Sequence, residues 1–190
     1  FFINDSASNV NGTVTVTFTV DTVKPAVSFI APTPNQYFAT AAVNFNVSIV
    51  EANLNTALID VGGINYTLVN QSGNWGYTNG SMPDGNYTVK VFVNDSAGNV
   101  NSSALNITVD TTNPRVTITS PSSGNTSSSV INFNATVVEI NPHLGRVQVT
   151  PDGQGAVNYT LSNNSGNWGY TNGSVPDNRY TAQFFLNDSA

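Results

Sequence analysis

The stretch Gly73-Asn-Trp-Gly-Tyr-Thr-Asn-Gly-Ser-Met-Pro-Asp-Gly-Asn-Tyr-Thr-Val-Lys-Val-Phe-Val-Asn-Asp-Ser-Ala97 returns, little altered, as Gly166 to Ala190. The matching continues outside it. Asp21-Thr22 with Pro25 and Pro32 reappears as Asp110-Thr111 with Pro114 and Pro121, and Val43-Asn-Phe-Asn46 as Ile131-Asn-Phe-Asn134. Phe1 to Ala7 stands in phase with Val91 to Ala97 and Phe184 to Ala190. A tandem repeat of roughly 90 residues follows, a length that suits one small β-sandwich per copy. The common phase predicts a slice of a longer array. Residues 1–20 are then the terminal strand region of a preceding repeat, 21–109 a whole domain, and 110–190 a domain lacking its final strand.

Strand patterning agrees with the repeat. Val43, Phe45, Val47 and Ile49 alternate with Asn44, Asn46 and Ser48, a period of two that sends one face to a core and the other to water. Thr13 to Val20 is an unbroken run of Thr, Val and Phe, types suited to a pleated surface, and is expected to form the last strand of the preceding repeat. Gly62-Gly63 suits the positive φ values of a tight hairpin, and Pro151-Asp-Gly-Gln-Gly155 lengthens the matching connection in the second copy. No segment shows sustained helical periodicity, so the chain is all-β.

Only 8% of residues are charged, against roughly 25% in ordinary soluble domains, so amides and hydroxyls supply the polarity. The net charge is −6 and the five basic residues are scattered, which leaves no patch for nucleic-acid phosphates. No apolar run is long enough for a membrane helix, so direct membrane insertion of this segment is not expected. The lack of cysteine fits either a cytosolic or an exported protein.

Tyr87 opens a strand after Met82-Pro-Asp-Gly-Asn86, and Tyr180 does so after Val175-Pro-Asp-Asn-Arg179. This resembles the tyrosine corner of immunoglobulin-like sandwiches, whose hydroxyl bonds back to upstream backbone. Asn94-Asp-Ser-Ala-Gly-Asn99, a following strand, Val109-Asp-Thr-Thr-Asn-Pro114 and Val116 to Pro121 resemble the junctions of tandem immunoglobulin-like repeats in large bacterial and archaeal cell-surface proteins. The resemblance implies immunoglobulin-like or fibronectin-III-like sandwiches serving as stalks, adhesin arms, surface layers or filaments. It also implies an extracellular setting, archaeal in source.

Sequons, Asn followed two places on by Ser or Thr, are the densest chemical signal. They occur at Asn11, Asn46, Asn65, Asn70, Asn79, Asn86, Asn101, Asn106, Asn125, Asn134, Asn158, Asn163 and Asn172, with weaker Asn-Asp-Ser sites at Asn94 and Asn187 and one at Asn4. A composition rich in Asn, Ser and Thr makes many by chance, but the pairs Asn46/Asn134, Asn65/Asn158, Asn70/Asn163 and Asn79/Asn172 hold matched repeat positions. Covalent N-glycans are therefore expected.

The few acids recur as Asp5, Asp95 and Asp188; Asp21 and Asp110; Glu51 and Glu139; Asp84 and Asp177. Asp95 and Asp110 bracket the last strand of the first repeat, and together would offer oxygen ligands to Ca²⁺ near a domain junction. Against this, Asp84 and Asp95 suit turns in which they bond their own backbone, and Asp110 suits a linker cap. No other cofactor is expected.

No catalytic site is expected. The single histidine, His143, lies in a variable segment read as surface loop, and there is no cysteine, Gly-x-Ser-x-Gly elbow or phosphate loop. Lys-Asn isopeptide links are not expected either, since Lys24 and Lys90 become Asn113 and Gln183 in the second copy. Trp75, Tyr77, Trp168 and Tyr170, interleaved with Gly and Asn, suit either stacking on sugars or packing in a core or between subunits. The leading expectation is a structural repeat of an extracellular surface protein whose partners are further copies of the same repeat or subunit. The alternative is an adhesin or carbohydrate-binding module. A repeat lacking its final strand suggests completion by Thr13 to Val20 of another subunit, with one continuous polypeptide as the plainer arrangement.

Overall fold

The computed structural model describes residues 3–12, 15–139 and 141–189, and no helix occurs among them. Phe1, Phe2, Thr13, Val14, Ile140 and Ala190 lie outside the described residues, as do the side chains of Ile3 and Asn11. A short antiparallel pair, β1 (Ile3–Asn4) and β2 (Val10–Asn11), comes first.

The first repeat supplies β3 (Ala26–Ala31), β4 (Gln36–Phe38), β5 (Val43–Val50), β6 (Leu54–Val61), β7 (Ile64–Thr67), β8 (Val69–Gln71), β9 (Asn74–Asn79), β10 (Gly85–Asp95) and β11 (Val100–Val109). They form one sheet in the order β3-β5-β9-β8 and another in the order β4-β11-β10-β6-β7. The second repeat supplies β12 (Arg115–Ser120), β13 (Ile131–Val138), β14 (Pro142–Pro151), β15 (Val157–Thr160), β16 (Ser162–Asn164), β17 (Asn167–Asn172) and β18 (Tyr180–Asp188). Its sheets run β12-β13-β17-β16 and β15-β14-β18.

Contacts divide the chain into two compact units. The first comprises Phe1–Thr33, Asn44–Tyr77 and Thr88–Leu105, the second Pro34–Val43, Thr78–Tyr87 and Asn106–Ala190. In the first unit the alternation drives burial. Phe45, Val47 and Ile49 of β5 face inward, as do Ala57, Ile59 and Val61 of β6 and Val89, Val91 and Val93 of β10. Each larger side chain removed from water in this way stabilises the fold by about 1.5–3 kcal/mol. The tight turn between β6 and β7 is made by Gly62 and Gly63 at φ 64° and 85°, as the glycine pair implied.

In the second unit Phe133, Val147, Val149, Leu161 and Trp168 form the buried centre, with Tyr159, Tyr170, Ala182, Phe184 and Leu186 packed against it. β18 pairs with β14 along one edge. Among the described residues no strand holds the place beside β18 that β11 holds beside β10. The consequence is visible in burial: Val89, Val91 and Val93 are 0–2% exposed, whereas the matching Ala182, Phe184 and Leu186 are only half-buried.

Residues 15–20 of the run Thr13 to Val20, read as the last strand of a preceding repeat, join no sheet among the described residues, and Val16, Phe18 and Val20 stand 75–80% exposed.

Candidate functional sites

Two acid clusters occupy equivalent places in the repeats. Asp21, which precedes β3, Glu51, which follows β5, and Asp95, which ends β10, each bring one carboxylate oxygen within 4.8 Å of the others. Asp110, Glu139 and Asp188 do the same in the second unit. These are six of the chain's eleven acids. The structure does not bring Asp95 and Asp110 together; each joins a different cluster.

Local bonding fixes each carboxylate. Asp95 accepts from the Ala97 and Asn99 backbone N–H groups, both at 2.9 Å, and from Asn99 Nδ2 at 2.8 Å. It is therefore the turn residue that its sequence context also suggested. The Asn99 side-chain bond, then the backbone donors, hold its carboxyl below the usual range even though burial opposes this. Asp5 repeats the arrangement with Ala7 and Asn9. Glu51 accepts from Asn53 N and Glu139 from Asn141 N. Asp110 accepts from Thr112 N and from Asn141 Nδ2, each at 3.2 Å, which makes it the linker cap. An all-oxygen, anionic donor set of this kind suits a hard cation such as Ca²⁺, which takes about 6–8 oxygen ligands. Carbonyls and water would complete the shell.

Asp84 departs from expectation. Instead of bonding its own turn, it accepts from Thr111 N and Oγ1 at 2.9 and 2.8 Å and from Thr112 Oγ1 at 2.8 Å. Those bonds, the Thr111 backbone donor foremost, lower its carboxyl. A carboxylate with two free oxygens reaches the linker because Thr111 and Thr112 place three donors beside it. Both tyrosine corners are formed: the Tyr87 hydroxyl donates to Pro83 O and the Tyr180 hydroxyl to Pro176 O, each at 2.8 Å. His143 lies in β14, not in a loop, and is exposed.

The aromatic residues are committed to packing to different degrees. Trp168 is 5% exposed and lies in the core cluster, while also lining a cleft beside Asn134 and Tyr170. Tyr77 stacks on Tyr66 and Tyr170 on Tyr159, with centroids 4.4 Å apart in both cases, and Trp75 is half-buried. The difference between the tryptophans has a local cause that the repeat pattern hid. Opposite Leu186 stands Gly145, and a Cβ there would meet Trp168 Cε3 at 2.5 Å. The matching residue in the first repeat is Ala57, opposite Val93.

Among the sequons, Asn65, Asn70, Asn86, Asn101, Asn106, Asn125, Asn134, Asn158 and Asn163 are exposed, and Asn46, Asn79 and Asn172 half-buried. Asn101 donates its Nδ2 to Pro25 O at 2.8 Å, a bond that a glycan would displace. Asn94 is half-buried, with Oδ1 out of solvent and unpartnered.

Comparison with known proteins places the fold. Residues 34–111 match the bacterial Ig-like domain family. No curated protein matches the sequence. Among solved structures, the fibronectin(III)-like modules of Clostridium thermocellum CbhA align over 87% of this chain and 88% of theirs, at 16% identity and a TM-score of 0.45. A tetra-tandem repeat from the extending region of a large adhesion protein aligns over 99% of this chain and 55% of its own, at 20% identity and TM-score 0.36. An endo-β-1,4-mannanase from Thermotoga petrophila aligns over 47% of this chain at 14% identity and TM-score 0.42, and the match spans only 20% of that enzyme's length. The helix-free sheets and the paired tyrosine corners make the described chain a tandem of immunoglobulin-like β-sandwich repeats, and residues 34–111 are similar to bacterial Ig-like domains.

Proposed function

We propose that this chain is a structural repeat of an extracellular, N-glycosylated cell-surface protein that forms a filament, sheath, surface layer or stalk, with no catalytic role. The observation that supports this reading is the repetition itself: both repeats carry a tyrosine corner of the same geometry, Tyr87 to Pro83 O and Tyr180 to Pro176 O, and residues 34–111 are similar to bacterial Ig-like domains. Modules of this kind, each burying its own core, suit a role as mechanical units in series.

Imaging of native surface material should show regular polymers; isolated flexible rods ending in a distinct tip would favour a spacer for an adhesin instead.

The twin acid clusters support calcium as part of the same reading, with Asp21, Glu51 and Asp95 holding one ion and Asp110, Glu139 and Asp188 another. Calcium there would neutralise converging carboxylates and tie the chain entering each repeat to the ends of two strands. The adhesin alternative, sugar bound on the tryptophans, has against it that Trp168 is 5% exposed.

A further inference from the structure

We propose that Asn134 is a glycan-bearing asparagine, and that its first sugars lie in a cleft over Gly169, the place that the Gln71 side chain takes over Gly76 in the first repeat. The inference rests on the reading of the chain as a glycoprotein and narrows it to one position. Asn134 lies directly opposite Gly169 in the β13–β17 ladder, and both belong to the second unit. A Cβ at residue 169 would stand 2.6 Å from Asn134 Oδ1, so the bare backbone of a glycine is what lets this side chain lie across β17. Around it is a cleft of about 440 Å³, lined by the amides and hydroxyls of Asn134, Asn164, Asn167 and Thr171 together with the aromatic Trp168 and Tyr170. Amides and hydroxyls both donate and accept, which matches the hydroxyls of a sugar ring.

The matching glycine of the first repeat has a different neighbour. Gly76 matches Gly169, but the Gln71 side-chain amide lies over it, its atoms 3.0–3.2 Å from where a Cβ would stand, and Gly76 is buried. The residue matching Gln71 is Asn164, one methylene shorter. Asn46 is correspondingly half-buried where Asn134 is exposed, and Ser48 half-buried where Thr136 is exposed. The two sequons hold the same repeat position, Asn-Val-Ser at 46 and Asn-Ala-Thr at 134, and their surroundings differ.

The modification joins Asn134 Nδ2 to the anomeric carbon of a sugar delivered as a carrier-linked glycosyl phosphate by a separate transferase. The carbon–oxygen bond to the phosphate breaks, the phosphate leaves with the bonding pair, and Nδ2 loses one proton to the transferase's base.

Glycopeptide mapping of the native protein with side-chain-preserving fragmentation tests this. Asn134 is expected to carry sugar in most molecules and Asn46 in few. Gln71→Asn, expressed in the native host, should raise occupancy at Asn46, and Gly169→Gln should lower it at Asn134 while Asn65 stays unchanged. Asn134 bare while other sequons are occupied, or equal occupancy at Asn46 and Asn134, overturns the inference alone. Bare sequons throughout overturn the glycoprotein reading and this inference with it.

Discussion

Replacing Gly145 with Ala should destabilise the second repeat and turn Trp168 outward. The added methyl would sit 2.5 Å from Trp168 Cε3, 3.0 Å from Cζ3 and 3.2 Å from Leu186 Cδ1, against the roughly 3.5–4.0 Å at which carbon atoms attract. The indole must therefore yield by about 1 Å at its nearest atom, in a core packed as densely as an organic crystal. Overpacking of this order costs about 1–3 kcal/mol. Ala in a strand recovers about 0.5–1 kcal/mol relative to Gly, through the smaller entropy of the unfolded chain. Overpacking wins, and the net loss is about 1 kcal/mol, or about 4–8 °C in the midpoint of a domain of this size.

The first repeat shows the relaxed state: with Ala57 at the matching position, Trp75 is half-buried rather than core. The assay is urea and thermal unfolding followed by tryptophan fluorescence in a Trp75→Phe background. Because the chain has two tryptophans, Trp168 is then the sole reporter. A red-shifted native spectrum together with a lower midpoint is expected. An unshifted spectrum with an equal or higher midpoint would refute the packing argument.

Three further outcomes follow from the sites. Tyr87→Phe and Tyr180→Phe each remove one 2.8 Å bond to a proline carbonyl, and each should lower unfolding free energy by about 0.5–1.5 kcal/mol in denaturant titration; a loss from one and not the other would show that the corners are not equivalent. Asp84 and Asp95 have carboxyls lowered in the fold, so between the folded and unfolded values the unfolded chain binds more protons. Their stabilisation is full above the unfolded carboxyl value of about 3.9 and is lost as pH falls through the folded values. Asp84→Asn should therefore flatten the acid limb of a midpoint-versus-pH curve and leave the neutral limb parallel to that of the parent. Added calcium should raise the thermal midpoint and a chelator should reverse it. Glu51→Gln with Asp95→Asn should remove the calcium response of the first unit only, and a midpoint indifferent to calcium would discard the metal reading.

What the sequence alone determined is whatever depends on local chemistry repeated in register. The period-two runs around Phe45 and Phe133 made strands with one apolar face, Gly62-Gly63 made the hairpin, and Tyr87 and Tyr180 made corners, because each outcome needs only neighbouring residues and a generic core. The tertiary structure decided what depends on partners distant in the chain. It drew Asp95 to Asp21 and Glu51, and Asp110 to Glu139 and Asp188, acids distant in the chain. It also separated residues that the repeat made look alike. Trp168 is buried and Trp75 is not, and Asn134 is open and Asn46 is not, because Gly145 and Asn164 replace Ala57 and Gln71 across the fold, and a single methyl or methylene decides whether two side chains can share one space.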